Sequence, residues 1–192
     1  MFRYVILVLF AATSIAACAM PAQVNSMIGT PTMQLMANSS LKESLRVNAV
    51  SGGQSTNPLW TSQVGNPEFQ EALRQSLLKQ GIIASNEARY QLDTVLVELK
   101  QPLVGFDLTV ASTVRYTIRE ITTNRVAFDQ TIAASYTANF SDAIIGGAVE
   151  RLRLANEGSI RSNISQFLDQ LIRTLGTGAP GVMSAVKLGT VG

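Results

Sequence analysis

Few side chains in this sequence can do chemistry, and their types rule out more than they suggest. Cys18 is the only cysteine, and the 192 residues contain no histidine. The usual general base and the commonest metal ligand are thereby absent, which excludes Ser–His and Cys–His nucleophile pairs and zinc sites. Glu150 and Glu157 form a carboxylate pair, but exposed helix carboxylates at such spacing are common and define no reaction. Arg151, Arg153 and Arg161 stand beside them, next to the glycine-rich entry Gly146-Gly147. Free N–H groups and a guanidinium at a helix entry suit an anion, so Arg151 and Arg153 are the anion-binding candidates. The plain alternative is a solvated helix face with local ion pairs. Neither Gly52-Gly53 nor Gly146-Gly147 belongs to a nucleotide fingerprint, since GxGxxG and Gly-Lys-Ser/Thr are both missing. The expectation is a protein that binds, not an enzyme, with no metal and no cofactor.

The remaining chemical group is the Cys18 thiol. Arg3 supplies a short positive region, Val5 to Ala12 an apolar run too short to span a membrane as a stable helix, and Ile15-Ala16-Ala17 small residues before the cysteine. This is the layout of an export signal over residues 1–17. It resembles the bacterial lipobox. The resemblance implies that Cys18 is alkylated by diacylglycerol, becomes the new N-terminus and holds the protein to a membrane through two or three acyl chains, a stable attachment. Ala19 is not the aspartate that retains such proteins in the inner membrane, which implies the outer membrane and its periplasmic side. An ordinary secretory signal with an incidental cysteine, or a short membrane anchor, is the alternative.

Charge is nearly balanced: removing residues 1–17 takes away only Arg3 and leaves 14 Lys+Arg against 13 Asp+Glu. That is no electrostatic footprint for nucleic acid. The remaining 175 residues suit one domain able to bury a core without staples.

The elements that must position these groups follow from periodicity. Residues 18–44, with Pro21, Pro31 and scattered methionines, show neither helical nor strand period and read as a lipidated N-terminus and flexible linker, with a reach of about 80 to 90 Å if extended. Residues 176–192 are glycine-rich and patternless and read as a disordered tail. Between them, residues 45–175 carry the order βαβββα. Leu45 to Val50 is a short strand. Asn66-Pro67 starts a helix, with Asn66 as N-cap, Phe69, Leu73 and Leu77 on one face and Gly81 just past its end. Arg89 to Lys100 and Asp107 to Glu120 are strands, Thr122 to Arg125 a hairpin loop, and Val126 to Tyr136 a third alternating run. Val95, Val97 and Leu99 face opposite Leu92 and Leu96, so a bulge resets the second strand or something covers its outer face. Ala148 to Leu175 is a long amphipathic helix in which Gly158 marks close packing. The expected fold is α+β, a two-layer sandwich with a mixed sheet of about four strands and two helices on one face.

If the first helix is a crossover, the first two strands run parallel, and three loops gather at one edge: Gly52 to Gly65, Gln101 to Phe106 and Ala138 to Gly147. They carry Leu59, Trp60, Leu103, Val104, Phe106, Phe140, Ile144 and Ile145 among glycines, the expected partner-binding surface, unless these side chains fold inward as a cap. The tether is expected at the opposite end.

The lipobox, the βαβββα order and the segments NPEFQEALRQSLLKQGII, RYQLDTVLVEL and RLRLANEGSIRSNISQFLDQLI resemble small proteobacterial envelope lipoproteins, a group that includes the lipopolysaccharide-assembly lipoprotein and auxiliary lipoproteins of envelope transport systems. The resemblance implies a lipid-anchored, non-enzymatic binding or assembly factor whose partners are the membrane and an envelope protein or lipid. Direct recognition of a glycolipid or peptidoglycan is the alternative.

Overall fold

The structure is a computed structural model that describes residues 19–57 and 61–176. The proposed signal peptide and Cys18, Leu59 and Trp60, and the expected tail beyond Gly176 lie outside the described residues. Among the described residues no helix is long and apolar enough to cross a membrane.

The elements in chain order are α1 (Val24–Met27), β1 (Leu45–Ser51), α2 (Asn66–Lys79), β2 (Tyr90–Lys100), β3 (Leu108–Glu120), β4 (Val126–Ala138), a 3-10 turn (Phe140–Ala143), α3 (Gly147–Leu171) and a π-turn (Ile172–Gly176). The four strands lie in sequence order, with β1 parallel to β2 and the two following pairs antiparallel. α2 packs on β1, and α3 lies across β3 and β4. This is the expected α+β two-layer arrangement. It forms because β3 alternates strictly: Leu108, Val110, Val114, Tyr116 and Ile118 are buried while Thr109 and Arg115 face water. The Tyr116 ring stacks on Phe167 of α3 at 4.0 Å between centroids, and Phe128 meets the same ring edge-on.

The irregularity expected in the second strand is a bulge. The β2–β3 register shifts between Leu96 and Glu98, which leaves Val97 exposed and returns the alternation to phase. α2 ends in a Schellman arrangement: the N–H of Gly81, at φ +68°, bonds Leu78 O and that of Ile82 bonds Leu77 O. Its start differs from expectation. Gly65 is the N-cap, and Asn66 Oδ1 instead accepts the N–H of Gly53 at 2.7 Å, which ties the long β1–α2 loop to the helix entry. The last helix is regular only to Leu171 and closes in the π-turn.

A polar seam crosses the core between β3, β4 and α3. Tyr116 donates its hydroxyl to Asn163 Oδ1 at 2.9 Å, Asn163 Nδ2 donates to Ile132 O at 2.9 Å, and Ser159 Oγ bonds Ser112 Oγ at 2.8 Å. Each of these buried groups is satisfied, so the seam fixes the helix's register on the sheet.

The segment expected as a flexible linker is a packed strap, a correction to the sequence reading. Ala22, Met27 and Leu41 are buried in the main core, and α1 packs against both α2 and α3. The strap has no period because its backbone groups are satisfied by side chains rather than by a ladder. Four α3 residues at four-residue steps hold it. Glu157 Oε1 accepts the Gln23 N–H at 2.8 Å, and Arg161 Nη1 donates to Ser26 O at 2.8 Å. Ser165 Oγ accepts the Thr30 N–H at 3.0 Å, and Asp169 Oδ1 accepts the N–H groups of Thr32 and Met33 at 2.8 and 3.0 Å. Steps of four keep these side chains on one helix face. From α2, Ser76 Oγ accepts the Gly29 N–H at 3.0 Å. The strap therefore runs beside α3 in the same direction before the chain turns into β1.

Candidate functional site

The strand directions bring the ends of β1, β2 and β4 and the start of β3 to one edge, and the three connecting loops meet there. Gln101, just after β2, joins two of them to α3. Its Nε2 donates to Ser62 O at 2.9 Å and to Asn156 Oδ1 at 2.8 Å, and Asn156 Nδ2 returns to Ser62 O at 3.0 Å. The second and third loops meet through Phe106 and Phe140, whose rings lie edge to face at 5.9 Å, and through the Phe140 N–H, which donates to Asp107 Oδ1 at 2.9 Å. A capping box between Asn139 and Asp142 shapes the turn that follows.

This scaffold holds apolar side chains out in water. Leu103 and Ile145 are 99% and 101% exposed, Val104 and Phe106 are 87% and 78% exposed, and Ile144 and Phe140 are exposed as well. The expected partner-binding residues within the described part therefore form a displayed set and do not cap the core. Leu59 and Trp60, which complete that set in sequence, lie outside the described residues.

The arginines beneath the pole are differently placed. Arg153 is held between Glu150 and Glu157 of its own helix and is largely buried. The hydrogen bond to Glu150 raises the guanidinium pKa and, in return, holds the Glu150 carboxyl below its usual range. Arg153 thus has its charge compensated within α3, the ion-pair alternative to anion binding. Arg151 is buried under the third loop, with its guanidinium 5.0 Å from the Phe140 ring centroid and Nη1 donating to Ala143 O at 3.3 Å. Its Nε has no partner among the described residues. Arg161, the third arginine of the group, grips the strap and lies 5.4 Å from the Tyr136 ring centroid. No group of three or more acidic, cysteine or histidine side chains that could hold a metal occurs among the described residues.

The first described residues also arrive at this pole, which corrects the expectation that the tether enters opposite the loops. The Ala22 N–H bonds Gln63 O at 3.2 Å, and Ala19 and Pro21 line a cleft of about 370 Å³ with Gly53 to Thr56 and Gly65 to Glu68. Ala19 is itself buried. β1 does begin at the far edge. The strap doubles the path to it back along α3, so residue 19 sits against the β1–α2 loop, at the same end of the domain as the apolar loops. No pattern of period three or two marks such a segment. The four-residue spacing of Glu157, Arg161, Ser165 and Asp169 on α3 is the sequence feature that accompanies it.

No protein-family model and no curated protein matches the chain. Among solved structures, a DUF330 protein of Xanthomonas campestris aligns with TM-score 0.53 at 12% identity, over 77% of this chain and 95% of that one. A hypothetical protein of Chlamydia trachomatis aligns with TM-score 0.52 at 10% identity, over 71% and 99%. The minor lipoprotein of Acinetobacter baumannii is a looser likeness, with TM-score 0.43 at 15% identity over 68% and 90%. At these identities the first two establish the fold alone. They bear on the βαβββα order and not on the lipopolysaccharide-assembly lipoprotein.

Proposed function

We propose that this protein is a non-enzymatic, lipid-anchored component of the bacterial envelope that acts as a binding or assembly factor through its loop pole, held by acylated Cys18 on the periplasmic side of the outer membrane. The observation that carries the reading is the meeting of two features at one end: the strap delivers residue 19 there, and Leu103, Val104, Phe106, Ile144 and Ile145 are displayed there. Apolar side chains held out by a hydrogen-bonded scaffold suit contact with another body. The alternative of glycolipid or peptidoglycan recognition through Arg151 and Arg153 loses one of its two groups to the Glu150 and Glu157 pairing.

The test is photo-crosslinking of the full-length protein in intact envelopes from a probe at position 106, together with mass analysis of the mature N-terminus. The expected result is a diacylglyceryl-modified Cys18 and reproducible crosslinks that a probe at Thr123, in the β3–β4 turn at the other edge, does not give. An unmodified cysteine sinks the anchor. An activity of the domain lost in one point variant of unchanged stability sinks the non-enzymatic assignment.

A further inference from the structure

We infer that the loop pole is a second membrane contact, in which the side chains of Leu103, Val104, Phe106, Ile144 and Ile145 insert into the same bilayer that holds the lipidated N-terminus. The inference rests on the anchored reading above and names what the apolar loops meet: a lipid surface.

Ala19 is buried at the loop pole, and Cys18 is one peptide unit, about 3.8 Å between Cα atoms, before it. Ala19 meets the β1–α2 loop, which lies at the same edge of the sheet as the 103–106 and 144–145 tips, so acyl chains attached one residue earlier would start from that end of the domain. The strap between residues 23 and 33 is fixed to α3, so no slack carries the domain away from them.

The most exposed apolar side chains sit at the tips of two loops, 103–106 and 144–145, that are joined at their bases by Phe106 and Phe140 and are almost fully in water at Leu103 and Ile145. Such tips suit a fluid phase that closes around each one, as amphipathic surfaces do at the boundary between headgroups and acyl chains. Of the carboxylates beside the tips, Glu150 is ion-paired with Arg153, while Asp107 and Asp142 each accept one backbone N–H, from Phe140 and Asn139, and keep their charge at the surface. With anions rather than free cations flanking the tips, insertion is confined to the apolar tip side chains and depends on their burial rather than on anionic headgroups.

The experiment uses the full chain, processed and lipidated, reconstituted in vesicles of neutral phosphatidylcholine. Because Cys18 is the only cysteine and is blocked in the mature protein, Leu103→Cys, Ile145→Cys and Thr123→Cys each carry a single nitroxide. The expected result is that labels at 103 and 145 lose collisions with a water-soluble relaxant and gain them with oxygen, that the label at 123 does neither, and that added salt changes nothing. Mass analysis of Cys18 in the same samples separates failure of the anchor from failure of the inference. Labels at 103 and 145 that stay in water on a confirmed lipidated protein overturn it. Protection that grows with protein density in the bilayer assigns the pole to a second copy, and protection seen only in native envelopes assigns it to a protein partner; either result overturns it as well.

Discussion

A single missing methyl group at Gly158 sets how closely α3 approaches the sheet. A Cβ built there would lie 2.2 Å from the Tyr136 ring, inside any tolerable contact, so the ring must move or the helix must lift. Gly158→Ala should therefore destabilise the fold by about 1 to 3 kcal/mol, despite alanine's better helix propensity. Denaturant midpoints should show it, and Tyr136→Ala should remove most of the loss in the double variant. This position was legible in the sequence, since a glycine inside a long apolar-periodic helix asks for a reason. The partner ring was not, because nothing local in the sequence pairs position 158 of the helix with position 136 of β4. Tyr116 gives a second residue-scale consequence. Its hydroxyl is fully buried, and burial pushes its pKa well above the ordinary value. The unfolded chain ionises this tyrosine near about pH 10 while the native state keeps the proton. Stability should thus be full below about pH 10 and fall as pH rises toward the native value. Tyr116→Phe should flatten that alkaline decline while costing about 1 to 3 kcal/mol at neutral pH, because Asn163 Oδ1 is left without its donor. Denaturant titrations at stepped pH measure both effects.

The strap is the element that changes most between sequence and structure. Its hydrogen bonds come from Glu157, Arg161, Ser165 and Asp169, and local propensity is silent about a segment whose partners lie on a helix more than a hundred residues later. The strands and both helices were legible because each carries its own period, and the bulge in β2 because the period breaks. Glycine at position 29 adds to the evidence for close docking: a Cβ there would meet Ser165 N and Ile164 Cγ2 at 2.7 Å. Asp169→Ala removes three hydrogen bonds, from the Thr32 N–H and hydroxyl and from the Met33 N–H. The expected outcome is local. Amides at 30–33 should exchange with deuterium faster, while those of β3 and β4 keep their protection, because the strap end can open without disturbing the sheet. Uniform acceleration across the domain would show instead that strap and core unfold as one unit.

At the scale of the whole molecule, the strap turns a long tether into a short one. A free 26-residue segment between Cys18 and β1 would let the domain roam up to about 90 Å from an anchor at Cys18, whereas on the reading proposed above the docked strap would hold the loop pole at the bilayer surface. α3 has 25 residues, about 38 Å at 1.5 Å per residue, so with the loop pole on the lipid the β3–β4 turn would stand up to roughly that far above it. The two ends of the molecule differ, apolar loops and residue 19 at one and the β3–β4 turn at the other, and that polarity is a consequence of strand direction plus four side chains on one helix. The loop cluster was legible from strand directions alone. Its orientation was not, because orientation depends on the strap. Energy transfer from a dye at Leu103 or Thr123 to an acceptor lipid should be strong for the first and weak for the second. Inserting a flexible glycine-serine segment of some 30 residues between Cys18 and Ala19 should leave folding unchanged and restore free reach. If the loops themselves hold lipid, the Leu103 signal should fall only partly after the insertion, and Leu103→Asp with Ile145→Asp should then abolish what remains. A complete fall on insertion alone would mean that the anchor, and not the loops, positions the domain.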